Sequence, residues 1–416
     1  MDYIEIEGGV QLHGHVRVSG AKNAALPIIA SLLLTTGETR LRNVPRVRDV
    51  VTFGQVLQAL GAKIRAEGLE LVIDTAGIDR FEAPYELVKT MRASFLVLGP
   101  LLARYGQGRV SLPGGCAIGA RPVNLHLKGL EALGAHLELT EGYVNAYAGQ
   151  LRGATVALPS PTVTGTENIM MAAVLAKGTT VVENAACEPE VVNLAEALRR
   201  MGADVRGAGS PRLVIEGVPR LEPAVHDIIP DRIEAGTFLV AGAITGGDVT
   251  VDGCQPEHLT ALLERLRGIG AGVEVGADWV RVSGVERARP IDIVTAPYPG
   301  FATDMQAQMM ALLTRAEGRS VISETVFENR YMHAAELCRM GAEIRLEGAD
   351  AVVTGVPRLH GAPVMATDLR ASAGLILAGL AATGITTVSR VYHLDRGYEQ
   401  IEVKLAALGA KIRRLP

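Results

Sequence analysis

LQALGAKI, residues 57–64, returns five more times in a chain of 416 residues: LEALGAHL (130–137), LRRMGADV (198–205), LRGIGAGV (266–273), LCRMGAEI (337–344) and LAALGAKI (405–412). The glycines within it are Gly61, Gly134, Gly202, Gly270, Gly341 and Gly409, and their spacing is nearly constant. A period held at about 70 residues marks one supersecondary module used six times. The Leu and Ala of each phrase recur at helical spacing, and the glycine that follows predicts a C-terminal cap in the left-handed backbone region.

Reading outward, each unit opens with an apolar helix, as in AALPIIASLLL (24–34) or TFLVAGAIT (237–245), which runs to a turn glycine. A short strand follows, as in ETRLRNV (38–44) or TTVVENA (179–185). The repeated phrase lies on a second helix, and two alternating strands complete the unit. Helix, strand, helix, strand, strand is an α/β module. After Gly409 only AKIRRLP remains, whereas IEIEGGVQLHGHVRVSG (4–20) resembles AVVTGVPRLHGAPVMATD (351–368) of the fifth unit. The N-terminal residues are therefore expected to supply the strands that the sixth unit lacks. Closure of this kind puts crossings near Gly20–Lys22 and Pro230. It divides the chain into a domain of residues 22–229 and a domain of residues 1–21 with 230–416, three units each.

Hydrophobic residues make up 48% of the chain, enough for cores of this size, and aromatics only 4%. Basic and acidic residues nearly cancel, 41 against 45, which together with the scarcity of stacking rings argues against an extended nucleic-acid surface. The longest apolar or small run, Ala371–Ala382, falls well short of the roughly 18 residues that a membrane span requires. MDYIEIEGG (1–9) carries acids where a signal peptide carries Lys or Arg, so a cytoplasmic location is expected. Cys116, Cys187, Cys254 and Cys338 stand far apart in the chain, a spacing that fits neither a zinc knuckle nor a disulfide framework.

Packing explains what the units share, so chemistry is sought where they differ. Their first helices begin at Lys22, Arg92, the Thr164–Glu167 stretch, Arg232, Asp304 and Arg370. A helix N-terminus presents unbonded N–H groups and partial positive charge. Stability alone would select Asp or Ser there, whereas a basic side chain makes an anion site; the bland alternative is that each cation points into water. In a second set, Arg48, Arg121 and Arg396 precede their repeat glycines, Gly61, Gly134 and Gly409, by one and the same interval, and Arg330 stands slightly nearer to Gly341. Shared register suggests guanidinium groups converging on a polyanion that carries phosphate, a group Arg grips through paired hydrogen bonds.

One connection is irregular. SLPGGCAIGARPVNLHL (111–127) places Cys116 in a glycine-rich loop before a helix opened by Pro122, a candidate lid. A thiol near Arg121 and a helix start would have a lowered pKa and could act as nucleophile or proton donor. The alternative is a small buried residue, the reading taken for Cys338 and kept for Cys187 and Cys254. Asp304, in YPGFATDMQAQ (298–308), is either an N-terminal cap or, opposite cations, an ionised acceptor of a hydroxyl proton. His13 and His15 share a strand face, but without a carboxylate or third ligand nearby a metal site is not expected. GGCAIG lacks the strand, helix and spacing of a dinucleotide-binding turn.

SGAKNAALPI (19–28), LPGGCAIGARPVNLH (112–126), YPGFATDMQAQ, ETVFENRYMH (324–333), MATDLRASAGL (365–375) and YHLDRGYEQIE (392–402) together resemble the enolpyruvyl transferases, in the branch that acts on UDP-N-acetylglucosamine, along essentially the whole chain. The resemblance implies two inside-out α/β barrel domains with the active site in the cleft between them. It implies transfer of the enolpyruvyl group of phosphoenolpyruvate to the sugar 3-hydroxyl, with release of phosphate through a tetrahedral intermediate, the first committed step of peptidoglycan synthesis. No metal or organic cofactor is implied, and the partners are small molecules, with neither nucleic acid nor membrane; the oligomeric state stays open, a monomer included.

Carried over residue by residue, Lys22 and Asn23 match the phosphoenolpyruvate-binding pair, with Cys116, Arg121, Arg370 and Arg396 as further contacts. Cys116 matches the general acid and Asp304 the residue that holds and deprotonates the sugar hydroxyl, with Lys22 and Arg396 also catalytic. Arg92, Arg121, Pro122, Val123, Asn124, Leu125, Thr162, Val163, Asp304 and Val326 resemble the nucleotide-sugar contacts, and Arg330 and Asp368 line the same cleft. Two competing readings are a transferase acting on shikimate 3-phosphate and a non-catalytic repeat protein that binds a nucleotide sugar.

Overall fold

A helix without a polar face has nowhere to meet water and belongs inside. In the computed structural model, which describes residues 2–68, 70–89, 91–112 and 123–416, six helices buried along most of their length form the interior: Lys22–Ser31, Leu98–Tyr105, Val163–Ala173, Arg232–Thr245, Gln306–Leu313 and Leu369–Ala381. In the longest, Arg232–Thr245, every residue from Ile233 to Ile244 is buried. The helices that carry the repeated phrase are amphipathic instead. Arg48–Leu60 buries Val50, Phe53, Val56, Leu57 and Leu60, one stripe at helical spacing, and leaves Val51 and Gln55 outside.

Of the described residues, 20–112 with 123–229 form one compact unit and 2–19 with 230–416 form another. Each encloses three of the central helices in three four-stranded sheets, so each is an inside-out α/β barrel built from three repeats. All six sheets follow one plan. A short strand pairs parallel with a central strand and two more add antiparallel, as in Thr155–Ala157, Thr179–Glu183, Arg212–Glu216 and Asp204–Arg206. Burial alternates along the strands: Thr180 and Val182 turn inward while Thr179 and Glu183 face solvent. The outward faces carry ion pairs such as Arg40 with Glu67 and Glu70, which water screens, whereas a buried Phe53 or Phe238 contributes about 1.5–3 kcal/mol. The interior, not the ladder of charges, holds the barrels together.

The short parallel strand of each sheet comes from the repeat before it, so each ring of three needs one strand from its own far end. In the first unit His226–Asp227 pairs with Glu38–Arg42, placing His226 opposite Leu41. In the second His13–Arg17 pairs with Asp248–Asp252. Tyr3–Glu7 lies between Ile385–Ser389 and Lys411–Leu415 and completes the sheet that the C-terminal repeat cannot finish. A buried ion pair pins this closure: Lys404 Nζ lies 2.7 Å from Glu234 Oε1 and 2.8 Å from Ser19 Oγ, and the Ser19 N–H donates to Glu234 Oε2 at 2.6 Å. Burial raises the Glu234 pKa even though Lys404 pulls it down.

The six repeat glycines all have positive φ, from 92° at Gly341 to 112° at Gly61, where a Cβ would stand 2.3 Å from the Gly77 carbonyl oxygen. Two expectations are corrected. Cys338 is exposed, because it sits one residue past the buried Leu337 and so faces away from the core. His15 does meet a carboxylate, Asp252 Oδ2 at 2.9 Å, which reaches it across the sheet. Even so, no group of three or more His, Cys, Asp or Glu among the described residues could hold a metal ion. Among those residues no helix is long and apolar enough to cross a membrane.

Candidate active site

Asp304 lies in the 3-10 turn Thr303–Met305 that leads into Gln306–Leu313. Its side chain is gripped by two arginines. Arg330 Nη2 lies 2.7 Å from Oδ1, and Arg370 Nη2 and Nε lie 3.0 and 3.1 Å from Oδ2. Both guanidinium groups are buried, with Arg370 3% exposed. Burial by itself would lower the Arg370 pKa, but Asp304, Tyr398 and Asp231 outweigh it and the net shift is upward. Arg330 was singled out by its distance from a repeat glycine and Arg370 by its place at a helix start; the fold brings the two sets onto one carboxylate. Asp304 thus stands opposite cations, and these two cations do not point into water.

The caps come from neighbours. Asp368 Oδ1 accepts from the N–H groups of Arg370 and Ala371, and Asp231 Oδ1 from those of Ile233 and Glu234. Acids one or two positions before Arg232 and Arg370 thus offset the helix instability that basic residues create there. Glu324 organises the other side of the site: its Oε1 accepts from Thr295 Oγ1 and from the N–H groups of Val326 and Phe327, and its Oε2 from Thr303 Oγ1 at 2.8 Å. Thr303 Oγ1 in turn accepts from Arg330 Nη1 at 2.8 Å. One buried carboxylate therefore fixes the exposed Val326, the guanidinium of Arg330 and, through it, Asp304. Arg396 is half-buried at the end of the 3-10 turn Val391–Arg396, where it adds to burial in lowering the His393 pKa.

In the unit of residues 20–229, Lys22 starts its helix without a side-chain cap, and its Nζ lies 3.3 Å from Asp49 Oδ2, both side chains largely buried. Asn23 follows, half-buried, in the same first turn. Arg48, next to Asp49, is exposed. Arg92 opens the 3-10 stretch Arg92–Val97, and Asn124 and Leu125 open the helix Asn124–Ala132, with Val123 buried before it. Thr162 caps Val163–Ala173, its Oγ1 accepting from the Gly165 N–H at 3.3 Å. Beneath these helix starts His126 is buried, and burial followed by the charge of Arg92 pushes its pKa down to about 3. Glu167 is also buried; burial, then Glu190 and Glu188, raise its pKa well above the carboxylate range. Cys116, Arg121 and Pro122 lie outside the described residues.

The sequence reading did not single out Thr303, Glu324, Tyr398, Asp49 or His126. Glu324 and Tyr398 stand inside quoted motifs, but nothing at sequence level separates a carboxylate that binds backbone from one that faces water.

Each unit is thus an inside-out α/β barrel of three repeats, and one of them holds a carboxylate between two arginines at a helix start. A family model described as EPSP synthase (3-phosphoshikimate 1-carboxyvinyltransferase) matches residues 6–405. The chain belongs to this enolpyruvyl transferase family. It is 61% identical to a UDP-N-acetylglucosamine 1-carboxyvinyltransferase of Anaeromyxobacter dehalogenans and 59% identical to one of Geobacter metallireducens, each comparison covering all of both chains. Among solved structures, the enolpyruvyl transferase NikO from Streptomyces tendae superposes with a TM-score of 0.90 at 29% identity, covering 100% of this chain and 99% of that one. EPSP synthase from Acinetobacter baumannii, at 20% identity and a TM-score of 0.76 over all of both chains, shares the fold.

Proposed function

We propose that this enzyme transfers the enolpyruvyl group of phosphoenolpyruvate to the 3-hydroxyl of UDP-N-acetylglucosamine, in the cytoplasm and as the first committed step of peptidoglycan synthesis. The observation that carries the reading is Asp304 between Arg330 and Arg370, in a chain whose full-length relatives at 56–62% identity bear that activity's name. Residues 22–229 and residues 1–21 with 230–416 act as its two domains.

Asp304 accepts the hydrogen bond of the sugar hydroxyl and takes its proton as the oxygen bonds to C2 of phosphoenolpyruvate, while the Cys116 thiol gives a proton to C3. The tetrahedral intermediate then loses a proton from C3 and phosphate from C2, restoring the double bond in the product. Lys22, Asn23, Arg121, Arg370 and Arg396 hold the carboxylate and phosphate, whose charge shifts during the reaction and which fixed cations stabilise without reorganisation. Arg92, the segment of residues 121–125, Thr162, Val163 and Val326 hold the nucleotide sugar, and Asp368 and Arg330 position their neighbours.

The test is phosphate release from phosphoenolpyruvate with each acceptor. Turnover with UDP-N-acetylglucosamine and none with shikimate 3-phosphate is expected; the reverse overturns the proposal, and binding without turnover makes the chain a sensor. Cys116→Ala is expected to abolish product while Cys116→Asp keeps some, and a phosphonate epoxide is expected to add its mass to the parent and not to Cys116→Ala.

A further inference from the structure

Thr237 is buried in the Arg232–Thr245 helix. Its Oγ1 lies 2.8 Å from the carbonyl oxygen of Ile233, one turn earlier, and 2.9 Å from the hydroxyl oxygen of Tyr398. A carbonyl can only accept, so the single hydroxyl proton of Thr237 is spent on Ile233. The proton between Thr237 and Tyr398 is then the phenol's own. Gln308, fully buried on the Gln306–Leu313 helix, brings Nε2 to 3.1 Å from Thr237 Oγ1 and 3.3 Å from the Tyr398 oxygen. Neither hydroxyl has a proton left for an amide oxygen, so Gln308 must face them with Nε2, which also lies 3.7 Å from Met305 Sδ, an acceptor. Donors and acceptors thus match in one arrangement. In it the Tyr398 hydroxyl points at Thr237 and its oxygen is an acceptor for everything else.

The cation beside that oxygen is Arg370. Tyr398 is buried, and the guanidinium carbon of Arg370 lies 5.4 Å from the centre of its ring, within the range at which a cation is held by an aromatic. Burial raises the Tyr398 pKa and the charge of Arg370 opposes the rise, so phenol and guanidinium act on each other. Arg370 places Nε and Nη2 on the single oxygen Oδ2 of Asp304, while Nη1 is buried and makes no hydrogen bond among the described residues. Two donors on one oxygen fix a distance but let the guanidinium rock about that oxygen, and a second support is needed to hold its plane. We infer that Tyr398 is a positioning residue for Arg370: Thr237 and Gln308 commit its hydroxyl proton away from the guanidinium, so that the phenol meets the cation as an acceptor and keeps Nε and Nη2 against Asp304. The inference deepens the function proposed above, in which Arg370 holds phosphoenolpyruvate.

Kinetics and NMR test it. In Tyr398→Phe, kcat/KM for phosphoenolpyruvate is expected to fall about tenfold while KM for UDP-N-acetylglucosamine stays within about twofold of the parent. Thr237→Val, which touches neither Arg370 nor Asp304, is expected to show the same selective loss, and Thr237→Ser to behave as the parent. The double variant Tyr398→Phe with Thr237→Val is expected to be no worse than Tyr398→Phe, whereas independent effects would multiply to about a hundredfold. The Nε–H signal of Arg370, assigned by its loss in Arg370→Lys, is expected to exchange with solvent about tenfold faster in Tyr398→Phe and Thr237→Val than in the parent. An unchanged kcat/KM for phosphoenolpyruvate in Tyr398→Phe, an equal rise in both KM values, multiplying losses in the double variant, or one exchange rate throughout overturns the inference. A parent that releases no phosphate overturns the proposed function instead, and the exchange of the Arg370 Nε–H still reads the positioning.

Discussion

Arg370 meets Asp304 side-on, with Nε at 3.1 Å and Nη2 at 3.0 Å from the single oxygen Oδ2, while the other oxygen is left to Arg330. Two guanidinium groups against one carboxylate make a site that orients its anion through both oxygens. Arg370→Lys offers one point charge where two donors stood, and kcat/KM is expected to fall about 10²-fold with little change in fold. Asp304→Asn removes the proton acceptor and is expected to cost about 10²- to 10⁴-fold in kcat. Steady-state kinetics of both variants check this; an active Asp304→Asn would move the base elsewhere.

Thr303 links Glu324 to Arg330 through one oxygen. Thr303→Val keeps the shape and removes that oxygen, leaving a buried carboxylate and a buried guanidinium each one partner short. A stability loss of about 1–3 kcal/mol is expected, with kcat reduced more than either KM, because Arg330 steers Asp304. Denaturant titration and kinetics on the same preparation separate the two effects.

Glu167 reports on pH. Its folded pKa is raised above the ordinary 4.5 by burial, Glu190 and Glu188, so the folded state keeps a proton that the unfolded chain releases. Its contribution to stability is full below pH 4.5 and is lost as pH rises towards the folded value. Glu167→Gln, neutral throughout, is expected to melt higher than the parent at pH 8, with the gap closing towards pH 4.5 at up to about 1.4 kcal/mol per pH unit. Calorimetry across that range reads it, and a gap independent of pH would show that Glu167 is not the titrating group.

Buried neutral histidines act in the opposite direction. His126 is pushed down to about 3 and His226 and His333 to about 4, burial leading in each case, against an ordinary 6.5. The unfolded chain binds these protons first, so their contribution is full above pH 6.5 and lost as pH falls. Unfolding at pH 5 is expected to take up protons at these three sites, measured as the loss of that uptake in His226→Asn relative to the parent.

Lys404 and Glu234 close the second barrel, the carboxylate 2% exposed. Lys404→Met strands that charge and is expected to cost about 3–5 kcal/mol, most of which returns when Glu234→Gln is added. A double variant no better than the single one would show that Ser19, not the ion pair, holds the N-terminal strands.

How much of this was legible beforehand differs by element. The six phrases announce six helices ending in left-handed glycines, because a helix stripe and a positive φ are local demands that leave local marks. The strand similarity between residues 4–20 and the fifth repeat showed where the missing strands come from. Cys338 was misread because one position on an amphipathic helix separates core from solvent. The site was legible as a set of charged residues and illegible as pairs.

Sequence by itself determined the repeat, its α/β character and the positions where each unit carries its own polar residue, since periodicity and backbone chemistry act over a few residues. Only the tertiary structure decided that Arg330 and Arg370, both well beyond Asp304 along the chain, share its two oxygens, and that Thr237 dictates where the hydroxyl proton of Tyr398 points. Hydrogen bonds and ion pairs are made over a few ångströms of space, and the chain reveals such neighbours only after it has folded.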